Sequence, residues 1–148
     1  MMKKLAGVLA GAWLGLQLGV GYLVAPVLFQ NLERMQAGAL AGVLFTVTAY
    51  IGMFVWLLVY FTGRSEQKRA YARAHTGKWI LLLLALLAVN QFLITPVIEA
   101  HKTGTANWLL TLLGGSFGRW HGTSTIIYMV CSVLGLGLVF RLVKMEWR

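Results

Sequence analysis

Residues 79–98 read WILLLLALLAVNQFLITPVI, and no Asp, Glu, Lys or Arg interrupts them. A helix needs about 20 predominantly apolar residues to cross the ~30 Å hydrocarbon core of a bilayer. Three further runs lack these charged residues, namely 5–32, 35–63 and 122–140. None of the runs alternates between apolar and polar residues as the strands of a membrane barrel do. The sequence therefore predicts an all-α, integral membrane four-helix bundle.

The composition supports the same fold class, because 59% of the 148 residues are hydrophobic and only 11% are charged. A soluble domain carries about 25% charged residues. We expect one transmembrane domain over residues 1–148, with helices over 5–30, 36–62, 79–98 and 121–141. Pro26 and Pro96 are expected to kink or end their helices. The first apolar run is too long for the core of a cleaved signal peptide, so we expect it to remain as the first membrane helix. With four such helices, we predict a multi-pass protein of the bacterial inner membrane.

The basic residues are distributed unevenly between the predicted loops. Ten lie at the termini or in the second loop: Lys3, Lys4, Arg64, Lys68, Arg69, Arg73, Lys78, Arg141, Lys144 and Arg148. Only Arg34, Lys102 and Arg119 lie in the first and third loops. Positive residues are retained on the cytoplasmic side, which predicts that both termini are cytoplasmic. The same residues are expected to bind membrane lipids through anionic headgroups. No nucleic-acid partner is expected, since Tyr71 is the only aromatic residue among the basic residues of the second loop.

Small residues and a short loop segment add two further expectations. Gly7, Gly11, Gly15 and Gly19 are spaced by four, which predicts close helix packing with an internal helix or with another subunit in a homo-oligomer. Residues 106–113 are apolar but too short to span, so we expect a helix lying in the outer interface. Cys131 is the single cysteine, which excludes an intrachain disulfide and a metal cage built from cysteines.

Polar residues inside the apolar runs indicate a candidate binding site. Gln17 and Asn90 lie in the middle of the first and third predicted helices, where each amide needs a hydrogen-bond partner. These amides either join helices or line a polar cavity. One face of the fourth helix is polar or small, at residues His121, Ser124, Thr125, Tyr128, Cys131, Ser132 and Gly135. We predict an outward-facing pocket with Gln17 and Asn90 as its floor, Ser124 as its wall, and His121 and Arg119 at its mouth.

Two other chemistries are weighed against this pocket. His121 and His101, near Glu99, could hold a metal ion, and His121 could act as an axial ligand of heme. Neither heme nor copper is predicted as a resident cofactor, because no attachment motif or known ligand spacing is present. Ser124 lies three residues from His121, but no acid that could orient the histidine stands beside it, so an enzyme is disfavoured.

Four short patterns follow one another along the chain. The first three are Gly11-Ala12-Trp13 with Gln17, then Leu32-x-Arg34 with Gly38 and Leu44-Phe45, then Val89-Asn90 with Pro96. The fourth is Phe117-x-Arg119-x-His121-Gly122-x-Ser124. Together they resemble the motifs of the transmembrane-protein-205-like family, also called domain of unknown function 4149. Tyr128 departs from the pattern, since that family often has Asn there. A more distant similarity, of fold only, is to the copper-resistance D-type and heme-pathway membrane families.

The resemblance implies a four-helix integral membrane protein and no particular reaction. We therefore expect a non-enzymatic protein that binds or passes a small solute or ion, or supports a membrane complex. The alternatives are a metal- or heme-binding redox module at His121, and a structural homo-oligomer packed through the glycines of the first helix.

Overall fold

The computed structural model describes residues 2–64 and 70–146, and it places the side chains of residues 5–63 and 75–144. Every regular element within these ranges is helical. The α-helices are α1 Met2–Gly19, α2 Ala25–Asn31, α3 Arg34–Arg64, α4 Ala70–Val89, α5 Thr95–Thr103, α6 Trp108–Leu113 and α7 Phe117–Glu146. Two π-helical turns, Val20–Val24 and Asn90–Ile94, join α1 to α2 and α4 to α5. The predicted all-α class is confirmed for the described residues.

Four helical segments of the described chain are long and apolar enough to cross a membrane. They are span 1, Leu5–Asn31; span 2, Arg34–Gly63; span 3, His75–Thr103; and span 4, Phe117–Lys144. The predicted boundaries differ most for the third helix, because α4 already begins at Ala70. An apolar run marks the part of a helix that lies in hydrocarbon, whereas Ala, Arg and Lys continue the helix beyond it. The predicted loop residues Lys68 and Arg69, and Arg148, lie outside the described residues.

Helix α6 occupies most of the segment where a short interfacial helix is expected. It begins after Asn107, whose side-chain Oδ1 accepts hydrogen bonds from the backbone N–H groups of Leu109 at 2.9 Å and Leu110 at 3.2 Å. Such a cap satisfies donors that the first helical turn leaves free. Trp108 and Leu112 are largely exposed. The position of α6 in a membrane interface stays a prediction.

The four spans are arranged in a ring. Span 1 packs against spans 2 and 4, and span 3 packs against the same two neighbours. Each span contributes to one core, formed by Ala6, Ala10, Trp13, Leu14, Val55, Trp56, Val59, Ile80, Leu83, Leu87, Cys131 and Leu138. At its centre the rings of Trp13 and Trp56 meet edge to face, with centroids 5.8 Å apart. The outward surface is rich in exposed Leu, Val and Phe, which suits contact with lipid.

Both prolines follow a π-helical turn. The backbone N–H of Ala25 bonds the carbonyl of Val20, and that of Thr95 bonds the carbonyl of Asn90, five residues back instead of four. Proline lacks an N–H group and its ring clashes with the carbonyl four residues earlier, which a wider turn relieves. Of the two expected effects, kinking or ending the helix, neither proline ends its helical segment, since α2 continues to Asn31 and α5 to Thr103.

The π-helical turns and the prolines lie at equivalent positions in spans 1 and 3. Their π-helical turns begin at residues 20 and 90 and their prolines stand at 26 and 96, so both pairs are 70 residues apart. Ala6, Ala10, Trp13 and Gln17 are buried in span 1, and the residues 70 positions later, Thr76, Ile80, Leu83 and Leu87, are buried in span 3. The two spans therefore turn equivalent faces toward the middle of the bundle.

Candidate functional site

Tyr128 of span 4 connects the polar middle of the bundle to span 1. Its hydroxyl donates a hydrogen bond to the backbone carbonyl of Gln17. Its ring meets that of Phe45 edge to face at 5.0 Å. Gly21 lies four residues after Gln17, and a Cβ there would overlap the Tyr128 ring, at 3.0 Å from Cζ. The missing side chain at Gly21 is what lets the tyrosine reach a carbonyl in the middle of a helix.

Trp13 makes the same kind of contact from span 1 to span 2. Its indole Nε1–H donates to the carbonyl of Thr48 at 3.0 Å. Gly52 follows Thr48 by four residues, and a Cβ there would overlap Nε1 and lie 2.6 Å from Cε2 of the indole. We call these two arrangements the aromatic–glycine contacts: Tyr128 with Gly21, and Trp13 with Gly52. In both, an aromatic donor from one span bonds a helical carbonyl that a glycine leaves uncovered.

The Trp13 indole also contacts span 4. A Cβ on Gly135 would lie 3.0 Å from Cζ3 of the indole and 3.4 Å from Cδ1 of Leu14. The indole therefore lies between Gly52 of span 2 and Gly135 of span 4. Trp13 is 1% exposed, so neighbouring residues on several sides hold its ring in place.

Two side-chain amides in the interior each have one buried polar atom without a hydrogen-bond partner among the described residues. Gln17 is 1% exposed, and its Nε2 has no hydrogen-bond acceptor among the described residues. The Oδ1 atom of Asn90 is buried and has no donor within the same residues. By contrast, Nε2 of the adjacent Gln91 reaches Oγ1 of Thr46 at 3.5 Å. A buried polar group without a partner costs about 1–3 kcal/mol, and the indole Nε1 of Trp56 is a further such donor within the described residues.

The polar face predicted for span 4 is divided along its length. Cys131, Ser132 and Gly135 are buried, whereas His121 and Thr125 are exposed. The hydroxyls bond their own helix: Ser132 donates to the carbonyl of Tyr128 and Thr125 to that of His121, each at 2.9 Å. Such bonds satisfy a hydroxyl without joining two helices. Tyr128 therefore carries the contact between spans that the polar face predicted.

The predicted mouth residues lie apart from the amides. Arg119 and His121 are exposed and Ser124 is half-buried. The His121 ring stacks on Phe117 at 5.6 Å, and the His101 ring meets the same phenylalanine edge to face at 6.3 Å. No hydrogen bond, ion pair or ring contact joins His121 or Arg119 to Gln17 or Asn90 within the described part of the chain.

The two histidines predicted as metal ligands share Phe117 as a neighbour. The carboxylate that could join them, Glu99, is paired with Lys102 at 2.8 Å. No group of three or more His, Cys, Asp or Glu side chains that could hold a metal ion occurs in the described residues. The Nε2 atom of His101 is buried without a partner. Metal or heme binding at His121 and His101 stays a prediction.

The glycines of span 1 face open space. A Cβ added at Gly7, Gly11, Gly15 or Gly19 would meet nothing within 4 Å. These glycines therefore do not serve close packing against another helix of this chain, which removes one of the two predicted partners. Packing against another subunit stays a prediction. Within the described parts of the spans, the glycines whose added Cβ would come within 3.0 Å of a neighbour are Gly21, Gly52 and Gly135, and each of them faces an aromatic side chain.

A shallow cleft lies on the surface between spans 3 and 4, toward the other end from His121. It has a volume of about 260 Å³ and is lined by Trp79, Val133, Leu134, Gly137, Leu138 and Arg141. None of the residues predicted for the outward-facing pocket lines it. The spacing of Gly137 and Arg141, one helical turn apart in an otherwise apolar stretch, is a weak indication of this cleft.

A bundle of four apolar helices with a polar middle defines the class of the protein as a multi-pass membrane protein. Residues 8–107 match the family described as Domain of unknown function (DUF4149), and the chain belongs to this family. A protein of Aquifex aeolicus (strain VF5), described as an uncharacterized protein, is 32% identical over 143 residues, covering 97% of this chain and 98% of its own length. No solved structure matches the chain.

Proposed function

We propose that the protein is a non-enzymatic membrane protein that binds or passes a small polar solute in the interior of the bundle, at Gln17 and Asn90. The observation that supports this is the pair of buried amide atoms without partners, Nε2 of Gln17 and Oδ1 of Asn90. One is a donor and the other an acceptor. A ligand complementary to them both accepts and donates hydrogen bonds.

The charge of the site favours a neutral solute over an ion. The buried polar side chains among the described residues, Gln17, Thr48, Thr76 and Ser132, carry no formal charge. An ion in a low-dielectric interior needs an opposite charge or a full set of dipoles. A neutral molecule with one acceptor and one donor needs only the two amides.

The orientation proposed for the site follows from the basic residues. With ten of them at the termini and in the second loop, both termini lie in the cytoplasm. His121 and Phe117 then lie on the outer side, and the solute enters from there. The bacterial inner membrane is the compartment that this proposal assigns. The resemblances to transmembrane-protein-205-like and copper-resistance D-type proteins stay predictions about fold.

Thermal unfolding of the purified protein in detergent, with and without small solutes, tests the proposal. Glycerol, acetamide, Na⁺, K⁺ and Cl⁻ serve as probes, because a ligand that binds the folded state raises its stability. We expect a neutral solute to raise the midpoint of the wild type and to lose this effect in Gln17→Leu and Asn90→Leu.

Gln91→Leu is the matched control, since its amide is adjacent and already paired with Thr46. It should keep the solute effect. If every probe acts equally on the wild type and on Asn90→Leu, the amides do not form a solute site.

A second candidate, a homo-oligomer that supports a membrane complex, is favoured by the open space beside the glycines of span 1. Crosslinking in native membranes should then detect a dimer that Gly11→Leu abolishes. Gly118→Leu is the control, because Gly118 is equally open but lies on span 4. A visible spectrum and elemental analysis of the purified protein test the metal or heme alternative at His121.

A further inference from the structure

The cleft between spans 3 and 4 changes from apolar to charged along its length. Val133, Gly137 and Arg141 recur every four residues on one face of α7, and Leu134 and Leu138 lie beside them. Arg141 lies eight positions after Val133, which corresponds to about 12 Å of helix at 1.5 Å per residue. One end of the cleft is therefore aliphatic and the other ends at a guanidinium.

The walls of the cleft fit a ligand that lies partly in the membrane. Gly137 is exposed, and a Cβ there would meet nothing within 4 Å, so the floor of the cleft is open at its midpoint. Trp79 forms the opposite wall and is 46% exposed. Tryptophan favours the depth at which lipid headgroups begin.

We propose that this cleft binds an anionic phospholipid. Its acyl chain lies along Val133 and Gly137 and its phosphate contacts Arg141. A guanidinium has five donors in a planar fork that matches phosphate oxygens, so Arg141 can bind a phosphate and keep a contact to the protein.

The charge beside the cleft and the volume of the cleft both favour an anionic phospholipid as its ligand. Lys78 is exposed and is adjacent in sequence to the lining residue Trp79, at the same end of the cleft as Arg141. This local positive charge favours an anionic headgroup over a zwitterionic one. The volume of about 260 Å³ is below the ~300–1,000 Å³ typical of sites that enclose compact ligands. The cleft therefore holds one portion of an elongated molecule whose remainder stays in the bilayer.

This site is separate from the one proposed at Gln17 and Asn90, and neither proposal depends on the other. The test is titration of the purified full-length protein with phosphatidylglycerol or phosphatidylcholine, with binding measured by native mass spectrometry. We expect phosphatidylglycerol to bind about fivefold more tightly or better, because the choline cation of phosphatidylcholine offsets the attraction between its phosphate and the basic residues at the cleft.

Two variants alter the cleft in different ways. Arg141→Gln removes the charge and should weaken phosphatidylglycerol binding about tenfold or more, while Lys144→Gln, its control outside the cleft, should change it much less. Gly137→Leu fills the open midpoint without overlapping the core and should weaken binding of the acyl chain. Gly118→Leu is its control on the same helix.

Three results would overturn the proposal. They are equal affinity for the two lipids, equal weakening by Arg141→Gln and Lys144→Gln, and unchanged binding in Gly137→Leu. Inorganic phosphate is added as a competitor in the same titration. If phosphate competes for the cleft as strongly as the lipid does, the cleft is a site for a free anion. If Arg141→Gln fails to fold, Gly137→Leu decides the question.

Discussion

Replacing Gly52 with alanine should destabilise the bundle by about 1–5 kcal/mol, because the new methyl group would overlap the Trp13 indole. The added Cβ would lie 2.6 Å from Cε2 of the indole. Carbon atoms in contact are about 3.5–4.0 Å apart, so the ring would have to move by about 1 Å. The ring is 1% exposed and its Nε1 is 3.0 Å from the Thr48 carbonyl.

The magnitude combines three effects. Overpacking a filled core costs about 1–3 kcal/mol. Moving the indole by 1 Å stretches its hydrogen bond beyond 3.5 Å and leaves a buried donor without a partner, at about 1–3 kcal/mol. Alanine regains about 1 kcal/mol over glycine through its helix propensity. The first two effects exceed the third.

The assay is reversible unfolding of the purified protein in mixed micelles of a mild detergent and SDS, followed by far-UV circular dichroism. Gly15→Ala is the matched control, since its Cβ would meet nothing within 4 Å. It should be neutral or slightly stabilising. Combining Gly52→Ala with Trp13→Phe should give less destabilisation than the sum of the single changes, because the smaller ring leaves room for the methyl group. Equal midpoints for Gly52→Ala and Gly15→Ala would show that Trp13 does not lie against Gly52.

Three further outcomes are expected. Tyr128→Phe should lower stability by about 0.6–1.7 kcal/mol in the same unfolding assay, which is the range measured for hydrogen bonds between membrane helices. The control Tyr22→Phe, at an exposed tyrosine, should leave stability unchanged. Equal effects of the two changes would exclude the hydrogen bond from Tyr128 to Gln17. Thr95→Val should lower the free energy of unfolding by about 0.5 kcal/mol or more, since it removes the 2.9 Å hydrogen bond from Oγ1 to the Asn90 carbonyl. An unchanged unfolding midpoint would contradict this. Reporter fusions should give a cytoplasmic signal at His75 and an external one near Gly104; an external signal at His75 would refute the orientation.

The helices could be predicted from the sequence because hydrocarbon restricts the composition of any segment that crosses it. The same restriction says little about which glycine receives a neighbour. Gly11 and Gly15 look like packing residues because they repeat every four positions, yet the space beside them is open. Gly52 and Gly135 follow no repeat of that kind, and their role depends on where Trp13 lies.

The polar residues illustrate a similar limit. Helical spacing correctly placed Cys131, Ser132 and Gly135 on a buried face. It did not predict that the hydroxyl of Ser132 bonds its own helix, because spacing carries no information about whether a side chain turns back to its backbone or crosses to a neighbour. The π-helical turns were also missed, although each proline indicates where a carbonyl has to be accommodated.

The contacts that join the spans make the buried amides unnecessary for packing. Trp13 and Tyr128 each bond a carbonyl of another span, and the hydroxyls of Thr48 and Ser132 bond their own helices. Bonds between membrane helices contribute about 0.6 kcal/mol on average, whereas an amide atom without a partner costs about 1–3 kcal/mol. If Gln17 and Asn90 joined helices, leucine at either position would destabilise the bundle, whereas amide atoms without partners predict that leucine stabilises it. A partner outside the chain reverses that balance, because it supplies the missing hydrogen bonds. Stability of Gln17→Leu and Asn90→Leu without solute therefore complements the binding assay: a gain in stability together with a lost solute effect is the combination that a binding site requires.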